Sequence, residues 1–143
     1  MVSRRSLSKK GRKAREQEYI FRVFRLFDNR KQKPEIIFCI ETVKQFVNFR
    51  YKILFSFSKI KHILRFEIKG LDAPSTLMPG TGSAIGSLTE NDLSGKYHIQ
   101  IVDLDGTTNE FLADFKKNVI QLRMLSKEPF IIGSTEPIEI NNE

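Results

Sequence analysis

The candidates for a nucleophile or a general base in this sequence are Cys39, His62 and His98, together with Ser residues scattered along the chain. Nucleophilic catalysis requires the nucleophile to lie beside a group that removes its proton. Cys39 falls in the most apolar segment of the chain, as is typical of a buried thiol. His62 begins a predicted strand, and His98 alternates with apolar neighbours on another. Because these spacings neither pair a nucleophile with a base nor form a zinc motif, we predict no enzymatic activity, no metal and no cofactor.

Two short motifs resemble binding loops for phosphate and calcium. Residues 80–86 read Gly-Thr-Gly-Ser-Ala-Ile-Gly, but this stretch lacks the lysine of a Walker loop and the strand-to-helix setting of a dinucleotide site. Asp103 and Asp105 precede Gly106, whereas an EF-hand needs a longer alternation of acidic residues before its glycine. Asp105 and Gly106 are better explained as a hairpin turn, since both residues tolerate positive φ. The sequence therefore predicts neither a nucleotide site nor a calcium site.

The length and composition restrict the class of protein. A chain of 143 residues favours one domain with its own core. The single cysteine excludes a scaffold built on intrachain disulfides and favours a reducing compartment, so we expect a cytoplasmic protein. No apolar run approaches the ~20 residues that cross a bilayer, because charged residues interrupt the candidates at Arg22, Arg25, Lys52, Lys59 and Lys61. We expect a soluble or peripheral protein.

The net charge of +7 is concentrated at the N-terminus. The first 15 residues contain no acidic residue and seven of the 24 basic ones: Arg4, Arg5, Lys9, Lys10, Arg12, Lys13 and Arg15. The rest is neutral overall, with an excess of basic residues over 16–69 and an excess of acidic residues over 70–143. Since residues 1–18 have too little apolar surface to fold, we predict a flexible basic tail. Such a tail could bind a nucleic acid or an anionic membrane surface.

Strand patterns account for most of the remaining chain. Alternation of apolar and polar residues, or a continuous apolar run of strand length, predicts strands at 19–27, 35–43, 49–57, 62–69 and 97–104. Later strands are predicted at 110–115, 119–125 and 130–132, although helical spacing leaves a helix over 109–122 as an alternative. Many short strands without a clear long helix predict a single antiparallel β-sandwich over residues 19–134, immunoglobulin-like or jelly-roll-like. Residues 135–143 would form a C-terminal tail.

Two surfaces are candidates for binding. Residues 71–93 contain Pro74, Pro79 and three glycines, a pattern that predicts a long loop, and such loops are commonly functional or disordered. Within this loop the candidate ligand-binding residues are Thr81, Ser83, Asn91 and Asp92. The second surface is the basic face of the strands over 50–69, formed by Arg50, Lys52, Lys59, Lys61, Arg65 and Lys69.

The order of these elements resembles the C-terminal β-sandwich of polysaccharide-exporting ABC transporters. The resemblance rests on the strand and turn at 20–28, the strand at 49–57, and residues 93–101 (Leu-Ser-Gly-Lys-Tyr-His-Ile-Gln-Ile). The last segment is similar to the leucine, glycine and tyrosine strand entry of that family and of many immunoglobulin-like domains. The resemblance implies glycan recognition. The chain contains no ATPase segment and no Trp to stack on a sugar ring, and no binding residue is carried over.

The sequence therefore supports two functional hypotheses. The first is a non-catalytic module that recognises a glycan or a protein partner through the loop 72–93 and the adjacent strand ends. The second is binding of a nucleic acid or an anionic surface through the tail and the basic strands. An exposed edge strand also leaves a homodimer formed by strand pairing as an alternative.

Overall fold

The computed structural model describes residues 15–47, 51–72 and 82–138. These ranges contain no helix and nine strands: β1 (Tyr19–Asp28), β2 (Lys33–Phe46), β3 (Lys52–Ile60), β4 (Ile63–Asp72), β5 (Gly82–Asn91), β6 (Gly95–Val102), β7 (Thr108–Phe115), β8 (Ile120–Met124) and β9 (Ile131–Ser134). The prediction of a mainly β protein is confirmed. The alternative helix over 109–122 is not formed, because Phe111, Ala113 and Phe115 alternate inward along β7.

All nine strands belong to one hydrogen-bonded sheet in the order β8-β7-β6-β4-β3-β5-β2-β1-β9. The edge strands β8 and β9 line a common groove, so the sheet is nearly closed into a barrel. The two stacked sheets of the predicted sandwich are therefore not confirmed. The purely antiparallel arrangement is wrong, since β1 and β9, β3 and β5, and β4 and β6 pair in parallel. Side chains alternate with the same period in both pairings, so the sequence pattern does not distinguish them.

Aromatic rings fill the interior of the barrel. Six of the twelve phenylalanines are less than 2% exposed: Phe21, Phe38, Phe66, Phe111, Phe115 and Phe130. The rings of Phe38 and Phe66 illustrate the packing, with centroids 5.3 Å apart. Complete burial of each such side chain stabilises the fold by roughly 2 kcal/mol. The expectation that phenylalanine forms mainly core is confirmed, and among the described phenylalanines only Phe27 is exposed.

Residues 82–91, predicted to be part of a long loop, form β5 instead. This strand pairs with β2 from Phe46↔Gly82 to Glu35↔Asn91. A Cβ at Gly86 would lie 2.4 Å from the backbone oxygen of Ile53, so only glycine fits where β5 passes this close to β3. The glycine that suggested a loop is therefore required by a close backbone contact inside the sheet.

The strand registers place three hairpin turns at one end of the barrel. The turns are residues 29–32 between β1 and β2, 61–62 between β3 and β4, and 116–119 between β7 and β8. The pairs Ile63↔His98 and Gly95↔Phe115 place the last two turns toward the same end of β6, with the third turn about three residues further out. We call this end the turn end. The other end, called the N-terminal end, contains residues 15–18 and the connection 103–107.

Residues 15–18 contact the sheet, although the sequence analysis assigns them to the tail. The amide of Glu18 donates a hydrogen bond to the carbonyl of Phe130, at 2.7 Å, and the carbonyl of Glu18 accepts one from the amide of Val43, at 2.9 Å. The folded body therefore begins by Arg15. The remaining tail residues, 1–14, and residues 139–143 lie outside the described residues.

Candidate functional site

Basic residues are concentrated at the turn end. The segments 29–33, 59–62 and 116–119 contain seven basic residues and no acidic residue: Arg30, Lys31, Lys33, Lys59, Lys61, Lys116 and Lys117. All seven side chains are exposed. A large apolar residue is exposed at or beside each turn: Phe27, Ile60 and Val119. The turn end thus presents positive charge together with apolar side chains.

Local sequence explains the shape of the first two turns. The carboxylate of Asp28 accepts hydrogen bonds from the amides of Arg30 and Lys31, at 2.9 and 3.3 Å, which stabilises the turn after β1. Lys61 occupies the left-handed region in the two-residue turn after β3, with φ of 53°. That turn matches the right-handed twist of the paired strands. Both turns therefore hold their basic residues on short connections between long strands.

Side-chain contacts join the turns to neighbouring strands. The Nζ atom of Lys59 lies 5.9 Å from the ring centroid of Tyr97, and the ring of His62 lies 4.9 Å from it. Tyr97 in turn packs edge-to-face on Phe115, at 5.6 Å. Near the first turn, Lys33 donates a hydrogen bond to the side chain of Asn91, at 3.1 Å. These contacts connect the basic turns to a rigid sheet.

Three carboxylates cluster at the N-terminal end. Arg15 is surrounded there by the carboxylates of Glu18, Asp103 and Asp105, at 3.7, 2.7 and 3.3 Å. Burial, together with the carboxylate of Asp103, raises the pKa of Glu18. Burial and the same carboxylate raise the pKa of Tyr19 to about 12. Lys96, Lys116 and Lys117 lie at the turn end although they belong to the acidic half of the sequence, so the two halves of the sequence do not correspond to the two ends of the barrel.

The structure does not gather the predicted loop residues into one site. Ser83 is the second residue of β5, at the N-terminal end, where its hydroxyl accepts a hydrogen bond from Gln45. Asn91 ends β5 at the turn end, about 26 Å away along the strand. Asp92 accepts a hydrogen bond from Arg25, at 2.8 Å. Thr81 lies outside the described residues.

The structure also does not gather the predicted basic residues into one site. Those of the tail, together with Arg50, lie outside the described residues: Arg4, Arg5, Lys9, Lys10, Arg12 and Lys13. Arg15 is bound to Asp103, and Lys52 is exposed at the N-terminal end. Arg65 donates hydrogen bonds to Glu67 and Gln100. Hydrogen bonds from Lys69 and Arg65 lower the pKa of Glu67, so one carboxylate partly compensates two cations on this part of the sheet face.

Sequence reasoning missed five basic residues of the turn end: Arg30, Lys31, Lys33, Lys116 and Lys117. The sequence did contain an indication of these residues, since each group lies between two predicted strands, where a turn is expected. The sequence could not show that the turns share one end, because this depends on which strands become neighbours.

The candidate nucleophiles and metal ligands do not form a reactive cluster among the described residues. Cys39 is 1% exposed, and burial raises the pKa of its thiol to about 12. His98 hydrogen-bonds to Glu110 on the outer face, with Nε2 2.6 Å from Oε1. Within the described ranges, no group of three His, Cys, Asp or Glu side chains is placed to hold a metal ion. Asp103 and Asp105, which partly resemble a calcium-binding motif in the sequence, form ion pairs with Arg15.

Two concave surfaces lie away from the turn tips. A groove of about 780 Å³ follows the seam between β8 and β9 and has charged walls that include Lys96, Asp114, Arg123 and Glu136. An apolar cavity of about 470 Å³ opens at the N-terminal end and is lined by Tyr19, Val43, Phe46, Leu71 and Leu104, among others. The seam groove lies between two sheet edges, whereas the apolar cavity lies beside the acidic residues.

Comparison with protein-family models, curated proteins and solved structures found no match to this chain. In the part of the chain that the structure describes, no helix has the length and hydropathy needed to cross a membrane.

Proposed function

We propose that this protein is a non-catalytic binding module that holds a phosphate-bearing anionic partner against the turn end. The observation that carries this proposal is the position of three hairpin turns at one end, with seven exposed basic residues and no acidic residue in the segments 29–33, 59–62 and 116–119. Phosphate groups are the shared chemistry of nucleic acid backbones and anionic lipid headgroups. Clustered Lys and Arg side chains attract both.

The acidic residues near the turn end mostly bind their own neighbours. Asp28 accepts amide hydrogen bonds within its turn, Glu35 pairs with Lys31 at 3.1 Å, and Asp92 pairs with Arg25. A hydrogen bond to Glu35 raises the pKa of Lys31. Positive charge at the tips therefore faces outward, while the carboxylates of the N-terminal end repel an anion and orient the module.

The tail adds charge to the same function. Residues 1–14 contain six basic residues and no acidic one. We propose that they strengthen binding through long-range attraction, and that the turn end provides the defined contact surface. Neutralising the tail should then weaken binding without abolishing it.

Retention of the full chain on phosphocellulose at increasing salt tests the proposal. The variant Lys61→Glu/Lys116→Glu/Lys117→Glu should elute at much lower salt than the native chain, because each lost phosphate contact reduces the salt dependence of binding by about one unit of slope. The matched control is Lys44→Glu/Lys52→Glu/Lys127→Glu, which makes the same charge change at exposed residues away from the turn end. A third variant replaces the six basic residues of the tail with Gln.

The proposal is supported if the turn-end variant loses much more affinity than the control variant. Equal losses would show that net charge alone controls retention, and loss of all retention in the tail variant would place the contact in the tail; either result contradicts a turn-end surface. Circular dichroism and thermal unfolding confirm that each variant is folded.

A second candidate function, recognition of a protein partner, is favoured by the seam groove. Edge strands expose backbone groups that a partner's extended segment can pair with. No aromatic side chain is among the residues that line the described groove, so a peptide suits it better than a glycan, which commonly stacks on aromatic rings. A second copy of this chain would also fit, and light scattering over a concentration series distinguishes a homodimer from a monomer that awaits another partner.

A further inference from the structure

Three large apolar side chains are exposed among the basic residues of the turn end. Phe27, Ile60 and Val119 are 56%, 67% and 51% exposed. Phe27 lies near the end of β1, Ile60 ends β3 and Val119 lies in the turn before β8, so each is close in sequence to the basic residues of a different turn. The strand registers bring these turns to one end of the barrel, so exposed apolar side chains and positive charges occur together at that end.

The occurrence of apolar side chains among basic ones distinguishes between the two phosphate-bearing partners, a nucleic acid and an anionic lipid bilayer. A nucleic acid backbone is neutralised by cations alone. Aromatic rings can stack on bases, but Ile60 and Val119 have no ring. An anionic bilayer suits both kinds of side chain. Its headgroups attract Lys and Arg, and the acyl chains just beneath them accept apolar side chains.

We propose that the turn end docks on an anionic lipid bilayer, with Phe27, Ile60 and Val119 entering the boundary between headgroups and acyl chains. This inference rests on the proposed function and commits it to one partner. The seven basic residues lie at headgroup level, and the sheet stands away from the membrane with its acidic N-terminal end in water. The contacts of Lys59 and His62 with Tyr97 hold the second turn on the barrel while its apolar tip enters the boundary.

The chain contains no Trp, so a single introduced Trp reports on one position. Ile60→Trp places the reporter at the turn end, and Leu104→Trp places the matched control at the N-terminal end, where Leu104 is 63% exposed. The probes are vesicles of phosphatidylcholine with and without phosphatidylglycerol, and a short DNA duplex. Each variant is the full chain, and circular dichroism verifies its fold.

We expect the emission of Ile60→Trp to shift to shorter wavelength with phosphatidylglycerol vesicles and to be quenched by brominated acyl chains, while that of Leu104→Trp changes little. The variant Phe27→Ser/Ile60→Ser/Val119→Ser should bind these vesicles at least about ten-fold more weakly. The control Val43→Ser/Leu71→Ser/Leu104→Ser, which removes apolar side chains at the N-terminal end, should bind normally.

Unchanged vesicle binding by the apolar variant overturns bilayer insertion. If the DNA duplex still binds through the lysines in that case, the proposed function survives with a nucleic acid as its partner. A shift for Leu104→Trp instead of Ile60→Trp overturns the orientation. If Lys61→Glu/Lys116→Glu/Lys117→Glu also binds vesicles and DNA like the native chain, the proposed function itself fails.

Discussion

Nη2 of Arg15 lies 2.7 Å from Oδ2 of Asp103, although 88 positions separate the two residues in sequence. The Asp103 side chain is almost completely buried, and the guanidinium also lies over the ring of Phe130, with Cζ 5.1 Å from its centroid. This contact joins the start of the folded body to the connection between β6 and β7. It also removes Arg15 from the basic residues that are free to bind an anion.

Removing the buried carboxylate should destabilise the fold. Asp103→Asn keeps an acceptor for the amide of Leu104 but loses the charged partner of Arg15, and we expect the free energy of unfolding to fall by about 2 kcal/mol. Asp105→Asn removes the more exposed partner of Arg15 and should destabilise the fold much less than Asp103→Asn, because water screens this contact. Urea unfolding followed by circular dichroism measures both, and equal effects would contradict the special role of Asp103.

Glu18 should make stability depend on pH in a direction opposite to most carboxylates. Because its pKa is raised above the ordinary value of 4.5, the folded chain binds this proton more tightly than the unfolded chain does. The stabilisation is complete at pH below the ordinary value and is lost as pH rises through the raised pKa.

The substitution Glu18→Gln removes this dependence. The variant should match the native chain in acid and become the more stable of the two as pH rises, which thermal unfolding over an acidic-to-neutral series measures. Glu16→Gln is the control for the change in net charge, since Glu16 is an exposed neighbour. If the stability advantage of Glu18→Gln over the native chain decreased with rising pH, the predicted direction of the pKa shift of Glu18 would be wrong.

Gly86→Ala should be among the most damaging small substitutions in the sheet. Its methyl group would meet the backbone oxygen of Ile53 and the ring of Phe55, and a backbone atom cannot move without separating β3 from β5. We expect a loss of about 3 kcal/mol. Ser87→Ala, one residue further on an exposed position, should change stability by less than about 0.5 kcal/mol. Similar values for both variants would contradict the close approach.

Cys39 should resist thiol reagents while the protein is folded. The thiolate is the reactive form, and a pKa of about 12 lowers its population about a thousand-fold relative to a free cysteine. Reaction with a chromogenic disulfide at mildly alkaline pH should therefore be slow until denaturant is added. Ser87→Cys in a Cys39→Ala background places an exposed thiol on the paired strand and should react at once. Rapid native reaction of Cys39 would contradict its burial.

Eight of the nine strands were predicted from the sequence, several of them from alternation, because a strand with one buried face has an apolar residue at every second position. Asp105-Gly106 likewise identified its hairpin from local turn chemistry: Gly106 has a φ of 89° and lies between β6 and β7. The pattern failed at β5, whose inward positions Ala84 and Gly86 are too small to resemble a core strand.

The sequence by itself determined most of the extended segments, that phenylalanine fills the core, and that an excess of positive charge lies in residues 1–15. Only the tertiary structure decided that one sheet curls toward closure, that three pairings are parallel, and that basic turns 30 to 90 residues apart share one end. The reason is physical. Backbone conformation follows from neighbouring residues, whereas strand partners are selected by packing between distant segments, as in the contact of Arg15 with Asp103.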